Sequence, residues 1–145
     1  MACIIKCTSI LLLFFACHCS FSKTIEVRKN GQHAIQKAID AAHPNDTILV
    51  YQGTYTEHDI QITKPLIIHG IGRPIIDGEH KGEVIIVMAD SVVFKGFEIQ
   101  NVGFSFTKDW AGIKLDNKNY CTIEDNILLD SYFGIYLKKS NHILF

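Results

Sequence analysis

The feature that most restricts the fold of this chain is a repeat near its C-terminal end. Ala111-Gly112-Ile113-Lys114-Leu115 lies over Phe133-Gly134-Ile135-Tyr136-Leu137, with Gly112 falling on Gly134, and the same offset pairs Asn119 with Asn141 and Ile123 with Phe145. The step back from Ile123 to Phe94 is the same unit, enlarged by an insertion within the segment Gly103 to Trp110. Within the unit, Phe94-Lys95-Gly96-Phe97-Glu98-Ile99 keeps the apolar and polar rhythm of Ile123-Glu124-Asp125-Asn126-Ile127-Leu128.

Each unit therefore holds three short strands. They are expected at 47–50, 53–55 and 60–62, then 66–68, 74–76 and 84–87, then 92–94, 97–99 and 112–115, then 121–123, 126–128 and 134–137, with His142 to Phe145 opening a fifth turn. Strands of this length with alternating apolar residues cannot bury their inward face alone, so successive units must stack at the interstrand spacing of about 4.8 Å. The expected fold is all-β, a right-handed parallel β-helix of the pectin-lyase-like kind. An antiparallel sandwich would need hairpin turns between neighbours, and Asp77-Gly78 is the one such pair in the strand-rich region.

Ahead of the repeats, Thr24 to Val27 reads as a strand, and Asn30-Gly31 as a turn. Ala34, Ile35, Ala38, Ile39 and Ala42 then share one helical face, which His43-Pro44 ends, because a residue before proline is biased out of helical geometry. This helix, about 32–43, is expected to cap the N-terminal end of the coil, with rungs beginning near 46. At the other end Ile143-Leu144-Phe145 matches Cys121-Thr122-Ile123, so the chain is expected to be the C-terminally truncated start of a longer coil.

Residues 1–22 are different material. Lys6 is their one charged side chain, Ile10 to Ala16 are apolar, and Ser20-Phe21-Ser22 places small residues where a signal peptidase reads. The run is too short to span a bilayer and no stop-transfer segment follows, so the expectation is a signal peptide, a mature domain over 23–145, and a periplasmic or secreted location. Phe15-Ala16-Cys17 offers a looser alternative, a lipid anchor on Cys17. Cleavage after Ser22 removes four of the five cysteines and leaves Cys121 without a partner, best read as a small buried hydrophobe. The full chain carries a net charge of −1 with no basic run, which leaves nucleic acid without an electrostatic footprint.

From Ala34 to Phe145 the chain resembles the NosD family. The likeness lies in Ala34-Ile35-Gln36-Lys37-Ala38-Ile39-Asp40-Ala41-Ala42, Asp46-Thr47-Ile48-Leu49-Val50, Gly53-Thr54-Tyr55, Lys64-Pro65-Leu66, Pro74-Ile75-Ile76-Asp77-Gly78, Ala111-Gly112-Ile113 and Phe133-Gly134-Ile135-Tyr136-Leu137. The resemblance implies a periplasmic accessory protein that works with an ABC transporter in assembling the copper–sulfur site of nitrous oxide reductase. It also implies a family longer than this chain by several rungs.

Chemistry read from the residues themselves is sparse. A glycosidase needs two carboxyl groups roughly 5 to 9.5 Å apart across a bond. Asp116 and Lys138 share one matched position, Asp125 falls opposite Gly96, and Asp59, Asp77 and Asp90 share no register, so a non-catalytic protein is expected. Glu124-Asp125 reads as a solvated turn. His58 and His80 each follow a glutamate and stand at the same interval as Gly112 and Gly134, which makes them the candidate metal ligands, with copper the metal that paired imidazoles suit. Phe104, Phe106 and Trp110 sit in the enlarged segment, either as an exposed binding loop for a protein or sugar or as a cover for one flank of the coil. A carbohydrate-binding or carbohydrate-acting β-helix is the alternative function.

Overall fold

The computed structural model describes residues 22–145. The signal peptide and the Cys17 anchor expected within 1–22 fall, apart from Ser22, outside the described residues.

In chain order the elements are β1 (Thr24–Val27), α1 (Ala34–Ala41), β2 (Thr47–Tyr51), β3 (Thr54–Thr56), β4 (Ile60–Ile62), β5 (Ile67–Ile71), β6 (Ile75–Asp77) and β7 (Ile85–Val87). They continue with β8 (Val93–Lys95), β9 (Glu98–Gln100), β10 (Ala111–Asp116), β11 (Thr122–Glu124), β12 (Ile127–Leu128) and β13 (Phe133–Lys138). The strands wind into three parallel sheets, ordered β1-β2-β5-β8-β11, β3-β6-β9-β12 and β4-β7-β10-β13. This is the right-handed parallel β-helix expected from the repeat.

The register agrees residue by residue with the offsets read from the sequence. Ala111 pairs with Phe133 and Asp116 with Lys138, Ile123 pairs with Phe94, and Asn119 bridges to Asn141. Inward side chains stack in ladders. One sheet contributes Ile48, Ile68, Phe94 and Ile123, another Tyr55, Ile76 and Ile99, and the third Ile60, Ile85 and Ile113, all nearly inaccessible to solvent. Phe94 and Phe97 stack face to face with ring centroids 4.4 Å apart within this core.

Several strands begin one residue later than the apolar pattern predicts. Leu66, Val84, Val92, Phe97 and Cys121 lie at corners just ahead of a strand and are as buried as the strand residues. The corner is part of the core, so apolarity starts before the ladder does. Residues 142–145 form no strand; Leu144 bridges to Thr122 and Ile143 packs against the core. Cys121 is buried, as expected, and burial raises its thiol pKa above the ordinary value.

Helix α1 is shorter than 32–43 because His33 is left-handed at φ 55° and Ala42 is already extended. Its first turn has no cap from its own sequence. The buried carboxylate of Glu57 does that work from the β3–β4 corner, accepting hydrogen bonds from the backbone N–H groups of Ile35 (3.0 Å) and Gln36 (3.2 Å). At the other end Lys64 Nζ donates to the carbonyls of Asp40 and Ala42. Ile35 and Ile39 face the core, and the Gln36 side-chain amide accepts from the Gln61 backbone N–H at 2.8 Å. That amide stands where a preceding strand would pair with β4, so the helix covers both the apolar layer and part of the open edge.

The turn after α1 depends on Asp46, a buried carboxylate that accepts from the backbone N–H of Lys23 at 2.7 Å and of His43 at 2.8 Å. These bonds, His43 first and Lys23 second, outweigh burial and lower its pKa below 3.8. A depressed carboxylate contributes stability that is present above 3.8 and is lost as pH falls through the lower folded value. The melting temperature of the wild type should therefore fall more steeply than that of Asp46→Asn as pH drops below 3.8. Parallel pH profiles for the two proteins would show that Asp46 carries no such linkage.

Candidate functional site

The two histidines singled out by the repeat interval are not set opposite each other by the register. In the sheet just ahead of them Thr56 pairs with Asp77, a local repeat one residue shorter than the one that relates Gly112 to Gly134. By Ile60, which pairs with Ile85, the step is three residues longer than that interval, so His58 and His80 lie in corners where the step changes and no register pairs them. His58, Glu79 and Lys81 line one shallow depression with His33, and His80 is not among its lining residues. The Nδ1 atom of His58 lies 2.8 Å from Asp59 Oδ2, and His80 Nε2 lies 3.9 Å from Asp130 Oδ2 on a later turn. Among the described residues no three His, Cys, Asp or Glu side chains gather in a way that fits a resident metal ion.

The neighbouring acidic groups do structural work. Burial alone would raise the pKa of Asp77, but hydrogen bonds from the Asn101 side chain, the Glu79 backbone and the Gln100 side chain together lower it. Asp77 thereby ties the β6–β7 turn to the start of the following loop. Glu124 and Asp125, read as a solvated turn, form ion pairs with Lys95 (3.3 Å) and Arg73 (2.9 Å) along the outside of the coil.

Two surface features stand out from this background. The first is the outward face of the β4-β7-β10-β13 sheet, where Gln61, Ile86, Lys114 and Tyr136 form one row in register. Lys114 is ion-paired with the nearly buried Glu83, its Nζ lies 5.7 Å from the Tyr136 ring centroid, and the matched Asp116 and Lys138 approach to 3.8 Å. A groove of about 470 Å³ runs past Met88, Lys114 and Asp116. Glu83 and Asp116 are thus each ion-paired with a lysine. The register pairing of Gly112 with Gly134 contained the Lys114–Tyr136 neighbourhood. Glu83 could not be found that way, because it lies in the β6–β7 loop outside the repeat.

The second feature is the enlarged segment. Its base is packed down: Gly103 N–H donates to the Gly82 carbonyl at 3.0 Å, and a Cβ on Gly103 would meet Gly82 backbone and the Trp110 ring. Its tip is open, with Phe104 53% and Phe106 95% exposed. The loop is thus packed against the coil at its base and exposed at its tip. Phe104 meets Phe106 edge-on at 4.8 Å and Tyr132 at 5.7 Å, and Tyr132 meets Phe133 at 4.8 Å. These rings and the polar side chains between them enclose a recess of about 440 Å³.

No protein-family model, no curated protein and no solved structure matches this chain. No helix among the described residues is long and apolar enough to cross a membrane.

Copper titration separates the two arrangements of the histidines. With the register as found, His58→Ala combined with His80→Ala should weaken copper uptake no more than His33→Ala combined with His142→Ala. A loss at least about tenfold greater in the first variant would mean that the loops bring His58 and His80 onto one ion.

Proposed function

We propose that the chain is a periplasmic accessory protein of the NosD type. In this reading it is exported by the segment 1–22 and assists, with an ABC transporter, in assembling the copper site of nitrous oxide reductase. Copper is then cargo for the reductase and not a resident of this chain. The observation that carries the reading is the order of the resembling residue blocks. They occupy α1, β2, β3, β6, β10 and β13 in succession, so the likeness follows the coil through its turns and is not confined to the opening helix and the Gly53-Thr54-Tyr55 corner. The non-catalytic part of the reading is supported by the ion pairs that engage Asp125, Glu124, Glu83 and Asp116.

The reading is tested in cells that make the reductase. Removing the gene for this chain should lower the copper content of purified nitrous oxide reductase severalfold, and restoring it should bring the copper back. Reductase with unchanged copper in the deletion strain would sink the proposal.

A second measurement addresses catalysis. The purified protein should release no unsaturated or reducing ends from pectin or alginate. Release that disappears on replacing one acidic residue would place the chain among carbohydrate-acting β-helices instead.

A further inference from the structure

We propose that the recess between the 103–110 loop and the β12–β13 turn binds a neutral saccharide. A β-helix turn needs no segment of this length between β9 and β10, since the following turn closes directly from Leu128 to Phe133. The enlarged segment nevertheless has a defined shape. Ser105 Oγ accepts from the backbone N–H groups of Thr107 (3.2 Å) and Lys108 (3.0 Å), which holds the tip from within. A pre-organised loop on a rigid scaffold loses little entropy when it takes a ligand.

The lining then selects the ligand. The rings of Phe104, Phe106 and Tyr132 alternate with Ser105, Thr107 and Asp109 around the same space. A pyranose has matching chemistry, with a face of C–H groups to lie on an aromatic ring and an edge of hydroxyls to meet side-chain oxygens. Lys108 and Asp109 cancel in charge, so the recess offers no net field for a polyanion or an organic cation. Its volume of about 440 Å³ lies within the roughly 300–1,000 Å³ typical of small-ligand sites. A stable protein partner would instead cover about 800 Å² of surface on each side. Phe106 at 95% and Tyr132 at 74% exposure make few contacts with the fold, so their loss removes binding surface and leaves the coil standing. The assignment is independent of the copper-site reading, and each can fail without the other.

Trp110 is the only tryptophan of the chain and sits at the base of the loop with Lys108 Nζ 5.9 Å from its ring, which makes it a built-in reporter. The full chain should give a saturable change in Trp110 fluorescence with cellohexaose or chitohexaose. Phe106→Ala and Tyr132→Ala should each weaken that binding roughly tenfold. Tyr120→Ala, which removes an exposed ring stacked on His142 elsewhere, should leave it unchanged. Absence of a saturable response to both oligosaccharides, or equal responses from wild type and both recess variants, would overturn the proposal. So would self-association, measured by sedimentation, that Phe106→Ala abolishes while oligosaccharide binding stays intact, since the recess would then be a contact between copies of the chain.

Discussion

Parallel stacking of each turn on the one before is the constraint from which the rest of this structure follows. An inward residue has its counterpart of the next turn about one interstrand spacing away, so the ladders of isoleucine, valine and phenylalanine are both the hydrophobic core and the device that keeps register. A slip of one residue would turn every inward side chain outward. Changes in repeat length must therefore be absorbed at corners. In the first sheet Thr24, Thr47, Ile67, Val93 and Thr122 pair in succession, and although no two of the intervals between them are equal, every pair stays in register.

The corners bear this load through backbone conformation. Gly96 and Asp125 occupy the same corner of consecutive turns and are both left-handed, at φ 82° and 52°. Aspartate tolerates that region better than most side chains, and the neighbouring Asn126 amide bonds back to the Phe97 N–H and the Phe94 carbonyl. Gly70 meets a stricter demand. A Cβ there would collide with the carbonyl oxygen of Gly96 on the next turn and would approach Pro74 Cδ to 2.8 Å.

Closing the N-terminal end uses groups with two tasks. Glu57 completes the helix and so holds Gln36 where its amide can pair with β4, while Lys64 finishes the helix from the β4–β5 corner. Burying Glu57 is tolerable because both carboxylate oxygens receive backbone N–H groups bearing the partial positive charge of a helix N-terminus. The outer faces follow another logic. There the ladder imposes no chemistry, and neighbouring turns bring together whatever their outward residues happen to be, such as Lys114 beside Tyr136 or Asp116 beside Lys138.

The architecture was legible in the sequence because a solenoid pairs each strand with its counterpart one turn on, and where the turn length is kept a repeated pattern such as Gly112 and Gly134 records those contacts directly. The pairings of Asn119 with Asn141, Ile123 with Phe94 and Asp116 with Lys138 could all be read in this way. What the repeat could not convey were contacts made where its length changes. Equal spacing suggested that His58 and His80 face each other, but both lie in corners where the step changes, from Thr56 opposite Asp77 to Ile60 opposite Ile85. The capping of α1 by Glu57, the pairing of Glu83 with Lys114, and the meeting of Phe104 with Tyr132 likewise join segments with no common pattern. Period and polarity along the chain determined the coil and its register. Only the folded coil, whose corners absorb the irregular lengths, decided which loop side chains come together.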